Sequence, residues 1–452
     1  MQKVFAHKAL LPDGWSDAIM LDIEDGRLQS VAAGQAERDA DTVVGFAIPG
    51  LTNAHSHAFQ RALAGHTEER SPAGRDSFWT WRERMYALAA VVDAPILYAL
   101  ARQAYSEMLE AGYTAVAEFH YLHREPGSDE LDDAMFDALR RAADDSGIRL
   151  TYVPVLYERA GFDRPQPEGS QRLFALTLEQ FLQHYERVQA YSGALLNIGI
   201  GAHSLRAVSD ASLKAIAGVA SKDDVPLHLH IAEQQREVDQ CMAANSRRPV
   251  RWLLENYEVN RNWCLVHATH MDEEEAEALA QTEAVACLCP STEANLGDGL
   301  FRLRRFLAHG GNIAIGSDSH ISINPFEELR WLEYGQRLAT QSRNVASLQD
   351  AHVGRELFVR SLQGGLQAGS RNKAGLQAGA AADLVALYAE DPMLLGHSDA
   401  SILDALVFSG YRLPIERVMV NGAWCVEDGM HRSRESARAA YKAALGEIGA
   451  AS

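Results

Sequence analysis

The sequence is poor in cysteine and lacks any long apolar run. Of its five cysteines, among 452 residues, Cys287 and Cys289 lie two apart in an apolar run and the other three are scattered. These positions do not resemble a disulfide framework or a thiolate zinc site. We therefore interpret all five as reduced packing residues. No segment approaches 18 uninterrupted apolar residues, and the N-terminus lacks the apolar stretch of a secretory signal. From these absences we expect a cytoplasmic protein that binds no membrane.

Positive charge is also scarce. The chain carries 61 acidic against 42 basic residues, which gives a formal net charge of -19. Such a charge repels phosphate backbones and anionic membrane surfaces, so we exclude nucleic acid as a partner. A small anionic substrate would have to be bound by local cations placed against this overall field. The apolar fraction of 47% is that of a globular protein with a large core.

Both ends of the chain are predicted to form short β-strands. Asp25-Gly26 and Asn421-Gly422 each lie between two short apolar runs, and these dipeptides are strong hairpin signals. A further strand is predicted over residues 382–387. The two ends therefore have the same rhythm, which differs from that of the middle of the chain.

We predict that the two ends form one discontinuous small β-sandwich domain, composed of residues 1–48 and 366–452. The domain would clasp a larger central domain over residues 49–365. In this central part, short apolar runs of β type alternate with longer amphipathic helical patterns. Eight such runs are found, at residues 46–51, 114–119, 150–155, 196–200, 227–231, 264–267, 284–288 and 313–316.

Eight alternating β and α units within about 300 residues favour a closed (β/α)8 TIM barrel. An open, doubly wound parallel sheet is the structural alternative. The first βα connection has no Gly-x-Gly-x-x-Gly loop, which weighs against the nucleotide-binding version of that alternative.

Residues of the metal-ligand type follow the ends of four runs. His55 and His57 come after the first run, His230 ends the fifth, His267 ends the sixth and Asp318 follows the eighth. Barrel active sites form where strands end at the C-terminal face. One His-x-His pair is more often structural, but four strand ends that each supply such a residue predict a metal site. Imidazoles with a carboxylate suit Zn²⁺ or Fe²⁺ and leave a position for water.

Several stretches together resemble the amidohydrolase superfamily, specifically its mononuclear deaminase branch, over nearly the whole chain. They are PGLTNAHSH at residues 49–57, HIAE at 230–233, VH at 266–267, GSD at 316–318 and AADLV at 381–385. Binuclear members of the superfamily carry a bridging lysine after the fourth barrel strand. Here no lysine follows that strand until Lys214, which disfavours the dihydroorotase-type and urease-type alternatives.

The resemblance implies one zinc ion per chain with four protein ligands: His55, His57, His230 and Asp318. It also implies that Glu233 and His267 handle protons, with Asp318 and His267 orienting the attacking water. Zinc lowers the pKa of bound water to about 7 and so supplies a hydroxide nucleophile at neutral pH. This chemistry suits attack on an sp² carbon that bears an amine or imine leaving group.

Three further stretches, at residues 78–82, 201–206 and 230–235, resemble members of that branch that hydrolyse N-formimino-L-glutamate to N-formyl-L-glutamate and ammonia in histidine degradation. Arg82 and Arg206 would grip the substrate carboxylates, because a guanidinium group matches a carboxylate with two hydrogen bonds. The same resemblance implies further polar contacts to the substrate from three residues: Gln60, Tyr121 and His203.

Two alternatives stay open at this point. The substrate could be a heteroaromatic ring such as guanine, a pterin or an adenosine derivative, against which Trp79, Trp81 and Tyr121 would stack. The chain could instead be a catalytically inactive structural relative, although ligands at all four strand ends argue against this. We also expect a homodimer. The sequence does not fix the conformation of the loop from His66 to Arg84.

Overall fold

The computed structural model describes residues 1–70, 76–128, 130–370, 373, 375–410 and 412–451 of the chain. Part of the loop between His66 and Arg84, residues 71–75, lies outside this range. The strands are β1 (Gln2–Leu11), β2 (Gly14–Glu24), β3 (Arg27–Ala33), β4 (Thr42–Pro49), β5 (Leu51–Ser56), β6 (Tyr113–His120), β7 (Arg149–Leu156), β8 (Leu196–Ile198), β9 (Ile200–Ser204), β10 (Leu227–Ile231), β11 (Trp263–His267), β12 (Val285–Leu288), β13 (Asn312–Ile315), β14 (Leu384–Leu387), β15 (Ile415–Val420), β16 (Ala423–Glu427) and β17 (Met430–His431).

The helices alternate with the strands throughout the middle of the chain. They are α1 (Phe78–Ala89), α2 (Ala94–Glu110), α3 (Ala134–Ser146), α4 (Leu178–Gln189), α5 (Asp210–Asp223), α6 (Gln235–Asn245), α7 (Pro249–Asn256), α8 (Glu273–Ala280), α9 (Pro290–Leu296), α10 (Leu303–Ala308), α11 (Pro325–Thr340), α12 (Val353–Ala368), α13 (Ile402–Phe408) and α14 (Arg434–Ala451). Among the helices described, none combines the length and apolarity that a bilayer crossing requires.

Both chain ends meet in one sheet of eight strands, in the order β17-β16-β15-β14-β4-β1-β2-β3. The two predicted hairpins are confirmed, because β2 pairs with β3 and β15 with β16, each antiparallel. β14 pairs with β4 and thereby joins the C-terminal half of the sheet to the N-terminal half. A separate apolar core lies on this sheet and includes Val4, Leu21, Leu384 and Met419. The exact domain boundaries stay a prediction.

The central strands form a parallel (β/α)8 barrel, as predicted. Their order is β5-β6-β7-β9-β10-β11-β12-β13, and β8 pairs with β7 just before β9. The fourth barrel strand is thus interrupted at Gly199. The barrel closes between its first and last strands through backbone bonds from His57 N to Asp318 O (3.1 Å) and from Asp318 N to His55 O (3.0 Å).

The first apolar run crosses from one sheet into the other. β4 ends at Pro49 in the small sheet, and the first barrel strand begins only at Leu51. Gly50 lies between them, where any Cβ would collide with the side chain of Thr114. The apolar run over 46–51 continues across this change because Leu51 is apolar as well. The barrel strand then extends through the mostly polar but buried residues 52–56, beyond the end of the run.

An ion pair connects the barrel to the small sheet. Arg149, the first residue of β7, is 7% exposed, and its guanidinium donates to both carboxylate oxygens of Asp383 at 2.9 and 3.0 Å. The Asp383 carboxylate also accepts from the backbone N–H of Asn421 at 2.7 Å. This pair lies at the opposite end of the barrel strands from His55 and Asp318.

We predict that Asp383→Ala will strongly destabilise the fold, because it leaves the buried Arg149 guanidinium without its carboxylate. Loss of one partner of a buried ion pair costs about 3–5 kcal/mol, which urea unfolding would measure as a lower free energy of unfolding. The double variant Arg149→Met/Asp383→Leu removes both charges and should lose much less. Equal losses in the single and double variants would contradict this account.

Candidate active site

Five predicted polar residues converge at the C-terminal ends of the barrel strands. His55 lies in β5, His57 directly follows it, His230 lies in β10, His267 ends β11 and Asp318 follows β13. All five are buried, with exposed fractions between 0% and 8%. The structure therefore brings together the residues that four separate strand ends supply.

The ring nitrogens of three histidines point at one another. His55 Nε2 lies 3.1 Å from His57 Nε2 and 3.0 Å from His230 Nε2. The carboxylate of Asp318 completes the group, since its Oδ1 is 3.3 Å from His57 Nε2 and 3.6 Å from His55 Nε2. His267 lies farther out, with Nε2 3.9 Å from Asp318 Oδ2.

Backbone carbonyls determine which nitrogen of two rings carries the proton. His57 Nδ1 lies 2.8 Å from the carbonyl oxygen of Phe119, and His230 Nδ1 lies 3.0 Å from that of His203. A carbonyl only accepts, so both Nδ1 atoms donate and both Nε2 atoms present lone pairs. Burial lowers the pKa of His57 to about 3 and that of His230 well below its ordinary value, so the rings are neutral at pH 7.

This donor set fits one divalent metal ion. Neutral imidazole nitrogens that converge without protons between them repel one another unless a cation lies among them. Tetrahedral ligands roughly 2 Å from an ion are roughly 3.3 Å apart, and the separations found here are 3.0 to 3.6 Å. His55, His57 and Asp318 also form one of the clusters able to hold a metal in the described part of the chain.

The backbone at three of these strand ends is left-handed although no glycine is present. Ala232, His267 and Asp318 have φ angles of 49°, 68° and 49°. For residues with a Cβ this conformation costs about 1–3 kcal/mol and persists where the surroundings impose it, often at functional sites. The turn at each position directs the chain away from the strand and leaves the side chain at the mouth of the barrel.

His267 is held by a residue that sequence reasoning missed. Its Nδ1 lies 3.2 Å from Glu293 Oε1, which also accepts the backbone N–H of Cys289 at 2.9 Å. Burial alone would lower the pKa of His267, but the surrounding carboxylates, Glu233 first among them, raise it to about 10. Glu293 lies on α9 with no motif around it, so the sequence held no signal for this contact.

A second missed network fixes the metal-binding segment from behind. Ser56 Oγ donates to Glu118 Oε2 at 2.5 Å and lies 3.0 Å from His320 Nε2. Glu118 Oε1 accepts the backbone N–H of Ala58 at 2.7 Å. Glu118 is fully buried in β6, and a glutamate inside an apolar run was a signal that could have been found. Ser56 lies between His55 and His57, so these bonds orient both rings.

All five predicted substrate-binding residues line one cavity of about 70 Å³ next to this cluster. They are Gln60, Arg82, Tyr121, His203 and Arg206. Gln60 Nε2 donates to the Tyr121 hydroxyl at 2.8 Å. The cavity is also lined by Glu233 and Glu237, and its wall includes the aromatic rings of Trp81, Tyr86, Tyr157 and Phe174.

The two arginines of the cavity have no carboxylate partner among the described residues. Arg82 stacks on Trp79, with its guanidinium carbon 4.4 Å from the ring centroid, and its buried Nε has no hydrogen-bond partner there. Burial lowers the pKa of Arg82, and the charge of Arg206 lowers it further. Two guanidinium groups without carboxylates, in a chain of net charge -19, can each pair with an anionic ligand.

The cysteines are free and buried, as predicted. Cys289 nevertheless lies closer to the site than a packing residue needs to, because its sulfur is within 4.8 Å of ligand atoms of His267 and Asp318.

His228 is buried in the barrel below His230, and its Nε2 lies 2.9 Å from the carbonyl oxygen of Ala368. It is therefore a core residue.

Comparison with known proteins places these features in a family. Residues 46–425 match the Amidohydrolase family, and residues 1–43 match the family described as Formimidoylglutamate deiminase HutF, N-terminal domain. The chain is 45% identical to a formimidoylglutamate deiminase of Pseudomonas aeruginosa, over 99% of this chain and 100% of the relative. It is 29% identical to an 8-oxoguanine deaminase of the same organism, over 90% of this chain and 89% of that relative.

A solved structure gives the same result for the fold. The crystal structure of an amidohydrolase from Brucella melitensis superposes with a TM-score of 0.94 at 40% sequence identity. The match covers 99% of this chain and 100% of that one.

We predict that His230→Ala will lose the bound divalent metal, because it removes one of the converging Nε2 atoms from the cluster. Elemental analysis of the purified variant measures this directly. His228→Ala is the matched control: it removes a histidine two residues earlier on the same strand and should keep about one ion per chain. A His230→Ala protein with full metal content and full activity would disprove the ligand assignment.

Proposed function

The chain belongs to the amidohydrolase family, and we propose that it hydrolyses N-formimino-L-glutamate to N-formyl-L-glutamate and ammonia in histidine degradation. Its 45% identity to a formimidoylglutamate deiminase over the full length supports this function. The structural observation that carries it is the cavity beside the His/Asp cluster, in which Arg82 and Arg206 have no carboxylate partner among the described residues. The substrate has two carboxylates for these two groups.

The metal would be held by His55, His57, His230 and Asp318. We propose one zinc ion per chain, since three imidazoles and a carboxylate suit zinc, although the same donors would also take Fe²⁺. When bound, a divalent ion lowers the pKa of water and so supplies a nucleophile at neutral pH.

Three side chains would then handle the protons of the reaction. His267 and Asp318 line the cavity beside the cluster and would orient the attacking water. Glu233, which lines the cavity and makes no side-chain hydrogen bond in the described part of the protein, would accept a proton from water. It would release that proton to the terminal nitrogen of the formimino group.

The reaction then balances as one addition and one elimination. The water oxygen bonds to the formimino carbon, the bond from that carbon to the terminal nitrogen breaks, and the protons leave with this nitrogen as ammonia. Arg82 and Arg206 would hold the glutamyl part by its carboxylates, with Gln60, Tyr121 and His203 as polar contacts. This arrangement would leave the terminal nitrogen free to approach Glu233.

A ring substrate fits the cavity less well. Trp79, an expected stacking platform, is already covered by guanidinium groups, since the side chains of Arg82 and Arg236 each lie 4.4 Å from its ring centroid. A flat uncharged ring would also leave the cavity arginines without an anionic partner.

We further propose that the protein acts as a homodimer.

We predict that Glu233→Gln will keep the metal but lose activity by a factor on the order of 10² or more, the usual contribution of a general acid–base group. Steady-state rates together with elemental analysis measure the two effects separately. Asp239→Asn, an exposed change in helix α6, which follows Glu233, should retain full activity. If the Glu233→Gln protein turns over nearly as fast as the parent, another group carries the proton.

The function itself is tested by a substrate panel with product identification. We expect ammonia release from N-formimino-L-glutamate and none of comparable rate from amino-substituted purines or pterins. Proton NMR should show the formyl group still attached to glutamate, because Glu233 can protonate only the nitrogen within its reach. Free formamide and glutamate as the main products would refute the placement of the substrate between Glu233 and the arginines.

A further inference from the structure

A buried glutamate lies in the same cavity without a role in the reaction described so far. Glu237 is the third residue of α6 and is 7% exposed. Its Oε2 accepts the backbone N–H of Glu233 at 3.2 Å. Its Oε1 is buried and has no hydrogen-bond partner in the described part of the protein.

Capping of the helix explains the hydrogen bond of only one of the two carboxylate oxygens of Glu237. A glutamate at this position commonly reaches back to the backbone at the start of its own helix, which accounts for Oε2. The same argument leaves Oε1 desolvated and unpaired, an arrangement that costs free energy and is rare in folded proteins. The unpaired Oε1 therefore indicates that this oxygen contacts its partner only when a ligand fills the cavity.

Arg206 is the complementary group. Its side chain is half-buried, lines the same cavity as Glu237 and makes no hydrogen bond or ion pair with the described residues. Only its backbone is fixed, because Arg159 donates to the carbonyl oxygens of Leu205 and Arg206 at 2.8 and 3.1 Å. Burial raises the pKa of Glu237 to about 7, and the rise is opposed first by the charge of Arg206 and then by the backbone N–H groups of Ala232 and Glu233.

The number of donors on a guanidinium group favours this pairing. Arg206 has five N–H donors, and a substrate carboxylate uses two of them in a bidentate contact. Once substrate fills the cavity and excludes water, the remaining donors need acceptors from the protein. Glu237 lines the same cavity, and its Oε1 is a buried carboxylate oxygen without a hydrogen-bond partner in the described part of the protein.

We infer that Glu237 is a positioning residue that links substrate recognition to proton transfer, holding Arg206 through Oε1 and the backbone of Glu233 through Oε2. The inference rests on the proposed function, since it assumes that Arg206 binds a substrate carboxylate. A carboxylate that draws Arg206 into place thereby also fixes the segment that carries Glu233. Recognition of the anion should then influence kcat as well as KM.

A double-mutant cycle tests the link. Arg206→Met should lower kcat/KM for N-formimino-L-glutamate by about a hundredfold or more, and Glu237→Gln by about tenfold. An isosteric glutamine can accept from Glu233 N–H or from Arg206 but offers only one acceptor oxygen. In the Arg206→Met background, Glu237→Gln should change kcat/KM by less than about twofold, because the group that it positions is gone.

Two results would overturn the inference. A Glu237→Gln protein with unchanged kinetics shows that Oε1 has no function. A tenfold loss that persists in the Arg206→Met background shows that Glu237 only supports the start of the helix. Glu237→Asp, which keeps the charge but shortens the reach, gives the same comparison if the glutamine variant does not fold. Unchanged metal content in every variant controls for damage to the cluster.

Binding of glutarate separates this inference from the proposed function. Calorimetry of the dicarboxylate needs no turnover, so it reports the coupling of Arg206 and Glu237 even if the parent protein does not hydrolyse N-formimino-L-glutamate. Non-additive losses of glutarate affinity support the positioning role. Additive losses refute it, whereas absence of turnover in the parent refutes only the substrate.

Discussion

Closure of the barrel between its first and last strands is the constraint on which the site depends. The backbone bonds between His55, His57 and Asp318 join residues more than 260 positions apart in the sequence. They fix the carboxylate of Asp318 against two imidazoles before any ion binds. Preorganisation of this kind removes most of the ordering cost of metal binding, because the ligands need not be collected from flexible loops.

Convergence of buried polar groups has an electrostatic cost that the surrounding network offsets. Two buried carboxylates near the cluster have fixed partners: Glu118 accepts from Ser56 and from the backbone at Ala58, and Glu293 accepts from the backbone at Cys289. Such bonds offset the desolvation of the buried carboxylates. They also fix the orientation of the imidazole rings in the same networks. The left-handed turns at His267 and Asp318 depend on the same packing, since an isolated chain would avoid them.

The pattern of the sequence was sufficient for the fold and for the convergence of polar side chains at one end of the barrel, because both follow from periodicity along the chain. The choice of four metal ligands among these side chains came from the family resemblance and stays a prediction. Alternating runs predict strands, and barrel geometry then places His230, His267 and Asp318 at one face. Contacts between distant side chains have no such period. Glu293 and Glu237 lie on helices with ordinary neighbours, and only the three-dimensional structure shows that one reaches His267 and the other opens into the cavity.

The boundary of the first barrel strand illustrates the same limit. The apolar residues of β4 continue through Pro49 to Leu51, the first residue of β5, so hydrophobicity alone does not separate two strands that belong to different sheets. The close approach of the Thr114 side chain at Gly50 separates them. The sequence shows the glycine but not the side chain that packs against it.

Selectivity for an anion in so acidic a protein must arise at short range. Salt at physiological concentration screens exposed charges beyond about 8 Å, which weakens the repulsion that a net charge of -19 exerts on an approaching dicarboxylate. Inside the cavity screening is weaker, and under the proposed function Arg82 and Arg206 would meet a substrate carboxylate at hydrogen-bond distance. A ligand without carboxylates would displace water from both guanidinium groups without forming hydrogen bonds to replace it. Because desolvation of the two arginines would then be uncompensated, the cavity disfavours neutral ligands.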